Sequence, residues 1–453
     1  MTHTHFIGIG GTGLSAIARV LHESGQTVSG SDRALSPLAS ALRAAGITVY
    51  EGHRAENVQG ADVVVRSSAI PEANIEVQTA RAQGIPVLKR SDFLGEMMDG
   101  RTGIAIAGTH GKTTTTSMIA WMLTALGLDP TFISGGVIAN LATNAHAGKG
   151  PHFVIEADEY DRMFLGLRPK LAIVTNIEHD HPDCYPTPED FYQAFREFAQ
   201  TLPPDGTLIA CADDPQAASL LQTLNPGPHR IAYGLTESPL ARGCNLVPQP
   251  GAGFQFDLYL HNQFQTQVAL QVPGQHNVLN ALAALSVAYM LGLSLPAAAR
   301  ALGEYRGAGR RFEIRGEVNG ILVIDDYAHH PTEIRATLAA ARARYPHRKL
   351  WAVWQPHTFS RTQTLAAQFA AAFGDADHVL VTGVYPSRET APDGFSLQPL
   401  LAAIPHPDVH HSPTLEEASA YLLAHLRPGD VLIVMSAGNA DQISQTILEQ
   451  AHV

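Results

Sequence analysis

Cysteine is scarce in this chain: Cys184, Cys211 and Cys244 are the only three among 453 residues. An odd number with no CxxC spacing argues against a disulfide framework and for a reducing compartment. Positive charge is also short, with 30 Lys and Arg against 42 Asp and Glu and a formal net charge of -12. That balance argues against a sequence-independent nucleic-acid surface, which needs clustered cations. Any anionic substrate must be held by local cations and metal. No apolar run approaches the length of a membrane span, so no membrane partner is expected. The chain runs at once into a strand-like His5-Phe-Ile-Gly-Ile9. With no basic and apolar leader ahead of it, no secretion signal is expected, and the location expected is cytoplasmic. What remains is an ordinary globular composition, 45% hydrophobic and 16% charged, with a length that suggests about three domains.

The stretch Ile104-Ala-Ile-Ala-Gly-Thr-His-Gly-Lys-Thr113 organises the rest. An apolar strand ends in a glycine-containing turn, and a helical pattern follows through Met118, Ile119, Trp121, Met122 and Leu123. Backbone N–H groups and a helix N-terminus there suit a polyphosphate. Lys112 would reach the β and γ phosphates, and the Thr113 hydroxyl would ligate Mg2+. The usual phosphate-loop pattern wants a glycine where Ile106 stands, and its first glycine is displaced to Gly108.

Ahead of it, Gly8-Ile-Gly-Gly-Thr-Gly13 reads GxGxxG after a strand, and a second strand, Thr27 to Gly30, ends at Ser31-Asp32. This is a dinucleotide fingerprint with its acidic residue, and any diphosphate on a helix N-terminus with a carboxylate on ribose fits it equally. A nicotinamide oxidoreductase and a nucleoside-diphosphate sugar site therefore both stand at this point. Strand patterns at 61–65 and 85–88 extend a parallel sheet, with His53, Ser67 and Ser68 as candidate crevice residues.

Beyond the phosphate loop, strands at 153–156 and 171–175 end in Glu156-Ala-Asp-Glu159 and Asn176-Ile-Glu-His-Asp-His181. Polar residues just past parallel strand ends are where such sheets keep their sites. Glu156 and His181 are expected to complete the metal site begun by Thr113, with Mg2+ or, given a histidine ligand, Mn2+. A zinc cluster at His179-Asp180-His181 is the rival reading. Alternation from Phe254 to His261 predicts a half-buried antiparallel strand and a small extra sheet. Asn277 and Asn280, three apart on one helix face, could read adenine or cap the helix.

After the linker Arg306-Gly-Ala-Gly309, strands at 321–325, 350–354, 379–382 and 431–435 predict a third α/β unit. Polar residues again follow strand ends: Asp325, Asp326, Tyr327, His329, His357 and Arg361. Arg361 is placed to pair a carboxylate in bidentate fashion. Three such units make a hinged clamp.

With these motifs in order, the chain resembles the Mur ligases, ATP-dependent amide-forming enzymes of peptidoglycan precursor synthesis, over essentially its whole length. The marks are Gly8-Ile-Gly-Gly11, Gly108-Thr-His-Gly-Lys-Thr113, Glu156-Ala-Asp-Glu159, Thr175-Asn-Ile-Glu178 with Asp180-His181, Gly274-Gln-His-Asn277, Gly309-Arg-Arg-Phe312, Asp325-Asp-Tyr327 with His329-His-Pro331, and Gln355-Pro-His357 with Arg361. The resemblance implies an α/β protein of three domains: a Rossmann-like UDP-binding domain at 1–100, a central P-loop ATP-binding domain at 101–307 and a Rossmann-like closing domain at 308–453. It implies a UDP-sugar on Gly10, Gly11, Asp32, His53 and Ser67. ATP would lie on Gly108, Thr109, Gly111, Lys112, Thr113, Thr114, Asn277, Asn280, Arg311, Asp325 or Asp326, and Tyr327. His329 would accept the amine proton, and Arg361 would serve the amino acid and the intermediate. The alanine-adding branch fits best, implying UDP-N-acetylmuramate and L-alanine as substrates and a monomer or homodimer. The helix after His181 lacks the lysine that sister ligases carbamylate. Tyr160, where serine is usual, is a feature of the tripeptide-recycling branch, which stands as the alternative together with a non-catalytic nucleotide-gated binding protein. Asn439 and Thr358 are further departures from the family pattern.

Overall fold

A computed structural model describes residues 2–223, 227–236 and 240–450. Its first sheet has five parallel strands in the order Thr48–Glu51, Thr27–Asp32, His3–Ile7, Val63–Arg66 and Val87–Lys89. His3–Ile7 takes the centre because Phe6 and Ile7 are both fully buried, one on each face. The chain winds outward from it to one side and then to the other, so a crevice opens just beyond Ile7. The glycine loop and the helix Thr12–Glu23 occupy that point.

The second sheet has ten strands. Its parallel centre is Thr102–Ala107, flanked by Leu171–Val174 and His152–Glu156. The alternating stretch does form the strand Phe254–Leu260, paired antiparallel with Ala241–Pro248 and Gln263–Ala269. These strands do not stand apart as a separate small sheet. Tyr233 and Gly234 pair in parallel with Ala241 and Arg242, which carries the meander on as one edge of the central sheet.

The helix Lys112–Ala125 is buried on nearly every side. It lies between the sheet and the all-apolar middle of the helix Gln275–Met290, with Met118, Ile119 and Met122 in one cluster with Leu282 and Leu285. Two of its buried hydroxyls are paired, Ser117 donating to the Thr113 carbonyl and Thr115 to Asn280 Oδ1, whereas the Thr116 hydroxyl has no partner among the described residues.

The third sheet has six strands, of which only Glu313–Val318 runs antiparallel to its neighbour. Ile321–Asp326, Val431–Met435 and Leu350–Trp354 form its buried parallel centre, covered on both faces. The sheets are not independent bodies. Phe93 and Leu94, on the helix that ends the first unit, share one apolar cluster with Phe164 and Leu167 of the second. A backbone bond from Gly309 N to Val137 O, 2.8 Å, ties the third unit to the second. None of the described helices is long and apolar enough to cross a membrane.

Candidate active site

The phosphate loop turns between Ala107 and Lys112, and only glycine fits its start. Gly108 has φ +137°, and a Cβ there would lie 1.9 Å from Thr175 Oγ1. Lys112 folds back over the loop: its Nζ donates to the Gly108 carbonyl at 2.6 Å, the Thr109 carbonyl at 3.1 Å and the Glu159 carboxylate at 2.9 Å. Burial opposes the ammonium charge, but Glu159 and Glu156 outweigh it and raise the Lys112 pKa. The cation is therefore held beside the loop on the Glu159 carboxylate.

Thr113 Oγ1 donates to Glu156 Oε1 at 3.1 Å, and the other Glu156 oxygen accepts from Gly135 N at 2.8 Å. Two hard oxygens at that separation suit neighbouring corners of an octahedral Mg2+ shell, whose edge is about 2.9 Å for bonds of about 2.05 Å. His181 does not join this pair. Its Nε2 faces Glu159 at 3.5 Å and Asp180 at 3.7 Å, so it connects to the loop through the Lys112–Glu159 pair. The expected trio of Thr113, Glu156 and His181 is thus split into two adjoining groups. His179 takes no part in a histidine cluster either, because its Nε2 is bonded to the Tyr185 carbonyl.

Two cavities meet at this loop. One, of about 260 Å³, is lined by Gly111, Thr114, Asn277, Asn280, Tyr305 and Asp326, among others. Within its wall Asn280 donates to Asn277 Oδ1 and Asn277 donates to the Pro273 carbonyl, so the two amides are aligned by each other. Burial lifts the Asp326 pKa to about 6. The neighbouring Asp325 points to the other face of its strand, where it pairs with Ser444 and Arg315. Of the two aspartates named from sequence, Asp326 lines the cavity and Asp325 does not, as the two-residue repeat of a strand requires.

The second cavity, of about 750 Å³, is lined by all three units: Thr12 and Arg90 from the first, Thr113 and Glu156 from the second, Arg310 and Tyr327 from the third. Arg311 borders both cavities and comes within 3.4 Å of Thr113 Oγ1. Tyr327 is flanked by two guanidinium groups, Arg310 at 5.1 Å and Arg311 at 5.0 Å from its ring centre. Arg90 reaches across the start of the first helix so closely that a Cβ on Gly13 would stand 1.8 Å from its Nη1. It also donates to Asp158 at 3.2 Å. Arg90 carries no sequence signal, since it lies outside every motif, whereas Arg310 belongs to Gly309-Arg-Arg-Phe312 but has no role assigned to it from sequence.

In the first unit, Asp32 accepts from Gly10 N at 2.8 Å and so fixes the glycine loop, with Gly11 N bonded to the Gly8 carbonyl. Ser67 Oγ accepts from Ala69 N. His53 turns toward a buried Glu76 instead: its Nδ1 lies 3.0 Å from Ser31 Oγ and 3.3 Å from Glu76 Oε2. Glu76 is fully buried, and although burial alone would raise its pKa, His5, Ser31 and Asn57 bring it down to about 2.

The third unit brings a histidine group to the same region. His329 Nδ1 donates to the Tyr327 carbonyl at 2.9 Å and faces Glu333 at 3.2 Å. A carbonyl can only accept, so the neutral ring carries its proton on Nδ1 and offers Nε2 as the acceptor. Arg361 donates to His357 Nδ1 at 3.0 Å, which leaves the proton of a neutral His357 on Nε2. Burial and the nearby His329 and Arg361 hold its pKa at about 3. Arg361 itself is 3% exposed and makes a two-pronged pair with Asp180 of the second unit, at 2.8 and 3.2 Å. In this arrangement it grips a protein carboxylate rather than standing free for a substrate one.

The remaining departures are built into the scaffold. Tyr160 donates to Asp183 at 2.9 Å, lies edge-on to His181 and has Arg388 5.3 Å from its ring centre. Asn439 accepts from Gln355, and Thr358 caps the helix Phe359–Thr364. A further bridge, unread in the sequence, joins the second and third units: His110 lies 2.9 Å from Glu178 and 3.2 Å from Glu333. Burial opposes its charge, yet the two carboxylates raise its pKa to about 9.

Comparison with known proteins matches this architecture unit by unit. Residues 3–102 match the Mur ligase family, catalytic domain; 106–288 the Mur ligase middle domain; and 310–438 the Mur ligase, glutamate ligase domain. The chain is 44% identical over 463 residues to a UDP-N-acetylmuramate--L-alanine ligase of Roseiflexus sp. (strain RS-1), covering 99% of this chain and 98% of that one. It is 40% identical over 451 residues to one from Syntrophus aciditrophicus (strain SB), covering 99% and 93%. Among solved structures, the UDP-N-acetylmuramate-alanine ligase of Thermotoga maritima superposes with a TM-score of 0.83 at 30% identity, covering 100% of this chain and 99% of that one. A murein peptide ligase from Psychrobacter arcticus 273-4 gives 0.71 at 30% identity, with the same coverage. From its first sheet to its last, the chain belongs to the Mur ligase family.

Proposed function

We propose that this protein joins L-alanine to the lactyl carboxylate of UDP-N-acetylmuramate at the expense of ATP, releasing ADP and phosphate, in peptidoglycan precursor synthesis. The observation that carries the reading is the cavity that all three units line. It runs from the glycine loop of the first sheet to Thr113 and Glu156, so a sugar-linked acid held at one end reaches the phosphate loop at the other. The relatives named for this reaction cover the chain from end to end.

A carboxylate cannot couple to an amine at neutral pH because oxide is too poor a leaving group. Transfer of the γ-phosphoryl group to the lactyl oxygen makes an acyl phosphate, and the amine of alanine then displaces phosphate. Two anions must meet in the first step, so cation placement dominates. Lys112 exchanges Glu159 for the β and γ phosphates, and Arg311 stands next to Thr113 for the same task. Thr113 and Glu156 would hold Mg2+ or Mn2+, which supplies charge neutralisation on the phosphates. Arg90 and the start of the first helix face the diphosphate of the UDP-sugar. His329 Nε2 accepts the proton of the incoming ammonium, oriented by the Tyr327 carbonyl and Glu333. The division of labour follows residues 1–100 for the UDP-sugar, 101–307 for ATP and 308–453 for closure and the amino acid.

The test supplies UDP-N-acetylmuramate, ATP and Mg2+, and compares phosphate release with L-alanine, glycine, L-serine and the L-Ala-D-Glu-diaminopimelate tripeptide. Release with alanine far above the others supports the proposal. Release with the tripeptide and none with alanine assigns the chain to the recycling reaction instead, a reading for which Tyr160 beside His181 is the specific observation.

A further inference from the structure

Away from the Thr113–Glu156 pair, one imidazole nitrogen each of His110 and His330 and a carboxylate oxygen of Glu178 lie within 4.8 Å of one another. His110 Nε2 is 2.9 Å from Glu178 Oε2, and His330 Nδ1 is 3.8 Å from the same oxygen. In a tetrahedral site with bonds of about 2.05 Å, the ligand atoms stand about 3.3 Å apart, between these two values. The two rings are 4.7 Å apart, centre to centre.

An ion pair between His110 and Glu178 accounts for the first contact, and His330 Nδ1 is the N-cap acceptor of the helix Pro331–Arg344, but neither role explains why that nitrogen also turns toward Glu178. That residue is almost fully buried, and its Nδ1 has only Thr332 N at 3.3 Å, long for a hydrogen bond. Beyond that cap bond, the same lone pair faces the shared Glu178 carboxylate at 3.8 Å. The partners around the trio also have the arrangement that orients metal ligands. Glu333 Oε1 lies 3.2 Å from His110 Nδ1, the nitrogen opposite the converging one. Thr332 Oγ1 donates to the other Glu178 oxygen at 2.9 Å. Carboxylate on histidine and hydroxyl on carboxylate fix ring and carboxyl orientation in protein metal sites.

We infer that His110, Glu178 and His330 form a second metal site, selective for a borderline divalent cation of the zinc class and distinct from the site at the nucleotide phosphates. The ion displaces the His110 Nε2 proton to solvent, and the resulting two imidazoles and one carboxylate favour it over Mg2+, which takes oxygen ligands. The ligands come from both sides of the clamp: His110 and Glu178 from the second unit, His330 from the third. A bound ion thus pins these two units together at the rim of the nucleotide cavity, which His110 and Glu178 both line. The inference needs only this closed arrangement and does not depend on which amino acid is added.

The experiment is calorimetric titration of metal-stripped full-length protein with Zn2+, repeated with Co2+ so that visible absorption reports the coordination, both without nucleotide. His330→Asn removes the imidazole and keeps a residue that caps helices well, so the fold is retained. The expected result is one equivalent of Zn2+ in the wild type, weakened tenfold or more in His330→Asn and in Glu178→Gln and changed less than threefold in Glu156→Gln. Co2+ should give the intense bands of a four-coordinate site in wild type and Glu156→Gln only. Equal affinity in His330→Asn and wild type would overturn the inference. So would loss of binding in Glu156→Gln, which would place the ion at the phosphate site.

Discussion

Lys112 is the residue on which most of the proposed chemistry turns. It waits on Glu159 and two loop carbonyls rather than in solvent, so little reorganisation separates it from a bound phosphate. Lys112→Ala should lower kcat by about 10²–10³-fold, since a preorganised donor to developing charge is lost. The affinity for UDP-N-acetylmuramate, measured by calorimetry without ATP, should stay within about twofold. Glu76 answers a different question, the stability of the first unit. Its folded pKa of about 2 lies below the ordinary 4.5. Its contribution is therefore complete above about pH 4.5 and disappears as pH falls through about 2, amounting to on the order of 3 kcal/mol at neutral pH. Denaturant unfolding of Glu76→Gln against wild type should show that difference at pH 7 and its loss by pH 2. A difference independent of pH would contradict the assignment.

Among the elements, the phosphate loop illustrates what sequence carries and what it does not. Strand, glycine turn and helix were legible between Ile104 and Leu123, as were the parallel strands whose ends hold Glu156, Asn176 and Asp326. Those signals are local, set by apolar runs and turn residues. The choice of Asp326 over Asp325 was not legible, because it depends on which face of the Ile321–Asp326 strand meets the second unit. The same holds for His181, whose place beside Glu159 rather than Glu156 follows from how two loops cross. Nor could the burial of the whole Lys112–Ala125 helix be read, since the Gln275–Met290 helix that covers it is far away in sequence. Gly108→Ala tests the loop as an element. The Cβ would collide with Thr175 Oγ1 at a backbone angle that side chains avoid, so the turn must shift. Nucleotide affinity should fall more than tenfold, by fluorescence titration with an ATP analogue, while the UDP-sugar still binds.

For the whole molecule, polar contacts join the second and third units. Arg361 with Asp180 is the most buried of them, and His110 between Glu178 and Glu333 is another. Removing one side of a buried ion pair costs about 3–5 kcal/mol, because the remaining charge is left without a partner. Asp180→Ala should therefore open the clamp in the nucleotide-free protein, seen as a larger radius of gyration by solution scattering. Catalytic efficiency should drop with it. An unchanged radius would mean that Arg361 is not a latch. Closure matters because the account rests on one chamber in which the sugar acid takes a phosphoryl group before the amine arrives. The most direct measurement labels both oxygens of the lactyl carboxylate of UDP-N-acetylmuramate with oxygen-18 and follows turnover with ATP and L-alanine. The account predicts one labelled oxygen in each released inorganic phosphate and the other in the new amide. Unlabelled phosphate would mean that no acyl phosphate forms, and the account would fail.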